Sequence, residues 1–180
     1  MIEYYTLMHK GAQEEYKDNI FLNFGNELTM LLLFSSTDDG FDLSQSISIN
    51  TMIGGCSQMT MAELLEDFHN EISPNCPYLL MRIDDNHIEI DHRGSVSAKI
   101  VKRGELINLS NGYFTLEDGD QICCGTSAFF KELSDTAILA DAMSSISCEE
   151  WMDNMCVRIS DVNQFNGDNV SAITMIVRGD

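Results

Sequence analysis

The sequence predicts an α+β fold with mainly antiparallel strand pairing, and three observations carry that reading. Strand-like and helix-like stretches come in blocks rather than in βαβ alternation: strands, a helix, strands, two helices, then a last strand. Tight turns join neighbouring strand candidates, a connection open only to antiparallel pairs. The last strand, "VSAITMIV", is an apolar run that comes after two helices rather than one crossover helix.

In chain order, "IEYYTLMHK" alternates, "NIFLNFG" follows, and "LTMLLLF" is a continuous apolar run, with a turn at Gly25-Asn26 between the last two. Residues 35–59 are polar, Gly-bearing and aperiodic, which predicts a long loop of the sort that often carries function. Thr60 and Glu63 have capping-box spacing, and Met61, Leu64, Leu65, Phe68 and Ile72 share a helical face that Pro74 and Pro77 terminate. Two hairpins follow: "YLLMRI" turns at Asp84-Asp85-Asn86 into "HIEIDH", and "SVSAKIV" turns at Arg103-Gly104 into "ELINL". A strand "DQICC" leads into "GTSAFFKEL". Ala137, Ile138, Ala140, Ala142 and Met143 belong to one further helix. A Ser147/Glu150 capping box opens another, which buries Cys148, Trp151, Met152, Met155 and Ile159.

With 180 residues and no repeat or linker, the chain reads as a single domain, 1–180. Its 44% apolar content and 11 methionines suit a core of adaptable side chains. The start has no basic, apolar leader pattern, and no apolar run nears the roughly 18 residues of a membrane span, so a soluble cytoplasmic protein away from membranes is expected. The six cysteines form no CxxC pair and are expected to be reduced and mostly buried. A net charge of -19 opposes binding to nucleic acid; it reads first as a solvated acidic surface, and as a functional signal it suits a basic partner, a cation or mimicry of nucleic acid.

Four stretches, in order, resemble the protein phosphatase 2C family of metal-dependent Ser/Thr phosphatases. They are the "EEYKDNIFL" entry, the strand pair "HIEIDHRGSVSAKIVKRGELINLS", the "LEDGDQICCGTSAFFKELSD" segment, and Asp168-Asn169-Val170 before "SAITMIV". The resemblance implies two packed, mainly antiparallel sheets flanked by helices, an αββα sandwich. It also implies a shortened member, trimmed between residues 40 and 78, where one helix is evident and the family usually has two.

The family's chemistry uses two divalent cations, held by carboxylates, that activate a water for attack on a phosphoserine or phosphothreonine. Such hard cations need oxygen ligands, so each matched position is open to a chemical check. Asp18 and Asp168 match family acids, but Lys17 stands where a metal-binding Glu belongs and Gln13 where an Arg would grip phosphate. Ser127 replaces a metal-binding Asp, and Ser95 follows the matched Gly94 where the family's Gly-Asp-Ser-Arg motif has its Asp. The second motif has two registers: Ser35 in the Asp position, or Asp39-Gly40 as a literal match. The residual metal set is therefore Asp18, Asp168, Asp39 and Gly40, with no catalytic residue assigned and room for one weakly bound Mg²⁺ or Mn²⁺.

Other constellations are weaker. Asp38, Asp39 and Asp42 lack the Glu of a calcium loop, and His87, Glu89 and Asp91 share a strand face that reads as exposed and polar. Cys123 and Cys124 must point to opposite sides of their strand. No Gly-x-Ser-x-Gly elbow or phosphate-binding Gly fingerprint is present. The expectation is a pseudophosphatase that serves as a protein-binding or regulatory module, with a basic or phosphorylated protein partner. The alternatives are a divergent active phosphatase and an acidic interaction protein or decoy.

Overall fold

A computed structural model describes residues 1–24, 28–34, 43–55 and 59–179. The strands are β1 (Ile2–His9), β2 (Asn19–Phe24), β3 (Leu28–Phe34), β4 (Tyr78–Asp84), β5 (His87–Arg93), β6 (Val96–Lys102), β7 (Glu105–Leu109), β8 (Gly112–Thr115), β9 (Gln121–Thr126) and β10 (Val170–Val177). The helices are α1 (Leu43–Gly55), α2 (Met61–Glu71), α3 (Ser127–Phe130), α4 (Asp135–Ser144) and α5 (Cys148–Asn163). The strands form two five-stranded sheets, β1-β10-β9-β6-β7 and β2-β3-β4-β5-β8, antiparallel at every pairing.

Strand alternation builds the layers. Leu79, Met81, Ile83, Ile88 and Ile90 from the second sheet meet Ala98, Ile100, Ile122, Cys124, Ile173 and Met175 from the first in one inter-sheet core. The opposite face of the first sheet, with Val101, Cys123, Val170 and Ala172, packs on Phe129, Ile138, Trp151, Met152, Met155 and Ile159 of the helices α3 to α5. The outer face of the second sheet meets α1 and α2 through Tyr78 and Leu80 against Ile49, Ile53, Leu64 and Phe68. The result is helices, sheet, sheet, helices, the sandwich expected. Cys123 and Cys124 occupy different cores, and burial pushes both thiols well above the ordinary range.

Residues 43–55 correct one expectation. They form α1 rather than loop, so the 40–78 region holds two helices and that half of the sandwich is not cut to a single one. Ile49 and Ile53, one turn apart, are buried on α2, while Ile47 faces solvent. Gln45 fastens the pair by donating to the Glu71 carbonyl at 3.1 Å. The Gly25-Asn26 turn lies outside the described residues, as do Cys56, Asp38 and Asp42.

The local signals formed largely as the sequence suggests. Thr60 and Glu63 close a full capping box on α2. Ser147 caps α5 by accepting from the Glu150 N–H, but the Glu150 carboxylate reaches one residue further back, to the Ile146 N–H at 2.8 Å. Arg103 and Gly104 both have positive φ in the β6–β7 turn, which suits a two-residue hairpin. Gly112–Thr115 is an additional short edge strand that the sequence pattern did not single out.

Candidate functional site

Strand register brings the family-like positions to one end of the sandwich. There His9 pairs with Val170, Asn19 with Phe34, Phe34 with Tyr78, and Val96 with Thr126. Asp18 enters β2, Ser95 enters β6, Ser127 leaves β9 and Asp168 precedes β10, all at that end. Ser35, Asp39 and Gly40 lie outside the described residues.

Asp18 is buried, and its Oδ2 accepts a hydrogen bond from Ser171 Oγ at 2.6 Å. Tyr16 Oη lies 2.6 Å from the same Ser171 Oγ. If the Ser171 proton goes to the carboxylate, the phenol must donate to the serine, giving a chain from Tyr16 through Ser171 to Asp18. Burial, and then the negative Asp18, hold the Tyr16 phenol up at about 12 against the pull of the Ser171 bond. The Ser171 N–H donates to Thr126 Oγ1 at 3.3 Å, which ties this chain to the end of β9.

The loop carrying Asp18 is held by Asn169, whose role the sequence hinted at only as part of a turn. Buried at the start of β10, Asn169 accepts from the Lys17 N–H at 2.5 Å through Oδ1 and donates through Nδ2 to the carbonyls of Lys10 and Glu15 at 2.9 and 3.2 Å. Gly11 makes the approach possible. Its φ is +65°, and a Cβ there would sit 2.2 Å from the Asp168 carbonyl oxygen. The Ala12 N–H completes the contact by donating to the Gly167 carbonyl at 2.9 Å.

Asp168 itself is exposed, and its Oδ1 accepts from the Asn169 N–H at 2.8 Å. It shares a cavity of about 300 Å³ with Ser127, Lys131, Asn163 and Phe165. The structure thus places Ser127 and Asp168 around one hollow, whereas Asp18 does not line it and is turned toward Ser171. Gln13, Lys17 and Ser95 are exposed at the same end.

The donor chemistry decides how well a pair of hard cations would fit. The family resemblance assigns metal-binding carboxylates to positions 17 and 127, where this chain has an ammonium and a hydroxyl, and one Asp18 oxygen already accepts a hydrogen bond. Among the described residues, no group of three or more His, Cys, Asp or Glu side chains is placed to hold one ion. The described residues therefore do not fit a two-cation centre.

Comparison with solved structures follows from this architecture. The S. agalactiae serine/threonine phosphatase superposes with a TM-score of 0.77 at 12% identity, over 99% of this chain and 100% of that one. The fold is that of the protein phosphatase 2C-type Ser/Thr phosphatases. A structure of RsbX in complex with magnesium matches with a TM-score of 0.76 at 12% identity, over 97% of this chain and 94% of that one. The catalytic domain of the serine/threonine protein phosphatase PstP, in complex with two manganese ions, matches with a TM-score of 0.72 at 12% identity, over 99% of both chains. No family sequence model matches the chain, and no curated protein sequence does. On this phosphatase 2C scaffold, sequence reasoning missed Gly11, Tyr16 and Ser171. Ser171 did leave a signal, as a polar residue inside the apolar run "VSAITMIV".

The His87, Glu89 and Asp91 side chains share the outer face of β5, alternating with the buried Ile88 and Ile90. They do not act as one cluster. The Tyr78 O–H donates to Asp91 Oδ2, so its single proton is used and His69 Nε2, 2.7 Å from Tyr78 Oη, must be the donor there. Asn111 holds the other Asp91 oxygen at 2.8 Å, while His87 stacks on Tyr113 instead.

Proposed function

We propose that this chain is a phosphatase 2C-like domain that works as a protein-binding or regulatory module, a pseudophosphatase, rather than as a catalyst. The observation that carries this reading is the setting of Asp18. The matched acid is retained, but it is buried under the Ser171 and Tyr16 hydroxyls, with Lys17 beside it in the chain in place of a carboxylate. An ammonium at that position opposes a divalent cation, and a serine at position 127 cannot supply the missing charge. Its partner is a protein, basic or phosphorylated, and at most one Mg²⁺ or Mn²⁺ binds weakly at Asp168.

Calorimetric titration with Mn²⁺, run beside hydrolysis of a small aryl phosphate, tests this. The expected result is one weak site or none, with no Mn²⁺-dependent hydrolysis. Two saturable sites together with a rate abolished by Asp168→Asn would overturn it. That outcome would favour a divergent active Ser/Thr phosphatase, a reading supported by the retention of both Asp18 and Asp168 at one end of the sandwich. Asp39 and Gly40 would then be the first residues to replace. The reverse engineering is equally informative: Lys17→Glu combined with Ser127→Asp is expected to raise Mn²⁺ affinity above that of the unmodified chain.

A further inference from the structure

A second cavity, of about 320 Å³, opens on the outer face of the second sheet, where α1 and α2 cover Tyr78 and Leu80 but not the strands beyond. Register lines up Arg82, Glu89 and Tyr113 across β4, β5 and β8, with Asp84 and His87 in the next row and Asp85 in the turn. Because β8 is the last strand of its sheet, Tyr113 stands on the rim and is 63% exposed. His87 stacks on one face of that ring at 4.9 Å and 23°, which braces it.

The charge in this hollow is unbalanced. Three carboxylates face one guanidinium, and the guanidinium is already engaged: Arg82 donates to the Met59 carbonyl at 2.8 Å and reaches Asp84 at 3.4 Å. Asp85 and Glu89 have no ion-pair partner among the described residues. A braced aromatic ring beside unpaired carboxylates, on a chain of net charge -19, matches a Lys or Arg side chain, through charge and through the ring face.

We propose that this face binds an extended basic segment of a protein partner, with one Lys or Arg side chain lodged between Asp85, Glu89 and Tyr113. The proposal rests on the protein-binding reading above and names the partner's chemistry. Its site lies on the outer face of the second sheet, apart from Asp18 and Asp168, so the Mn²⁺ titration and the following experiment fail independently.

The test uses a fluorescein-labelled peptide of alternating Arg and Thr, followed by anisotropy and by mapping of backbone amide shifts on the full chain. Shifts concentrated at His87, Glu89, Tyr113 and Phe114 are expected. Asp85→Asn with Glu89→Gln should weaken binding about tenfold, as two partly exposed charge pairs allow. Tyr113→Ala should weaken it several-fold. The same charge removed elsewhere, Glu149→Gln with Asp161→Asn on α5, should change affinity by less than about twofold. Shifts spread over the whole surface, equal losses in the two charge-matched variants, or equal binding of a Glu-Thr peptide would each overturn the proposal. Thermal melts of every variant separate a lost site from a lost fold.

Discussion

The Asn169 side chain joins segments of the chain that are 152 to 159 positions apart, and its bonds are all to backbone groups. Asn169→Ala leaves one N–H and two carbonyls without this partner, so urea unfolding should show a loss of about 2–4 kcal/mol. Asn169→Asp would restore the acceptor for Lys17 but set a carboxylate against two carbonyls, and is expected to recover little. Glu3 offers a test with a sign. The Cys148 N–H first, and then Arg178, hold its carboxyl below the ordinary glutamate range. A lowered folded-state pKa adds stability that is present above the unfolded value and is lost as pH falls through the folded one. Glu3→Gln should therefore be less stable than the parent at neutral pH, with the gap narrowing as pH falls below the free glutamate value and through the lowered folded one; melts at neutral and at acidic pH decide it. At this scale the sequence displays residue type directly, as in Lys17 and Ser127, on which the proposed function rests. The Asn169 clamp was not legible there, because its partners are backbone atoms brought near only by the sheet.

The helix α1 shows where local pattern reading loses force. Its stretch "LSQSISINTMIGG" is rich in Ser, Asn and Gly, which favour turns and caps, and among its described side chains only Ile49 and Ile53 are buried deeply. Packing against α2 and β2 supplies what propensity lacks, as is usual for short helices. Ile49→Ala is expected to cost about 2–5 kcal/mol, whereas Ile47→Ala on the 59%-exposed side should be near neutral. Equal effects in chemical denaturation would argue against this packing. By contrast α2 and α5 were legible because their signals are local: a capping box and a stripe of apolar residues at helical spacing. Thr60→Ala should cost about 1 kcal/mol, read as a shift of the urea midpoint at unchanged slope.

The whole molecule carries its acidic excess on a scaffold whose antiparallel sense was readable from its two short hairpins. Which face of a strand meets the other sheet and which meets helices was readable only in part, as in the opposed Cys123 and Cys124, because the central strands are apolar on both faces. The pairing of distant strands was not readable that way, since nothing local in β1 says that β10 is its neighbour. A net charge of -19 implies self-repulsion in the compact state, so the melting temperature should rise between low salt and about 0.3 M NaCl as screening sets in. No rise, or a fall, would mean that the ion pairs such as Arg158–Asp141 and Arg178–Glu3 outweigh the general repulsion.

The neighbour relation between β1 and β10 also sets an order of events during synthesis. β10 lies between β1 and β9, and Ile2 pairs with Val177, so β1 has no partner in its sheet until the elements between it and β10 have left the ribosome. The β2-β3-β4-β5-β8 sheet, built from early and mostly sequential strands, is free to assemble first. Until then the segment from Tyr4 to Met8 is an unpaired strand in a growing chain, the stage at which this protein would depend most on a chaperone.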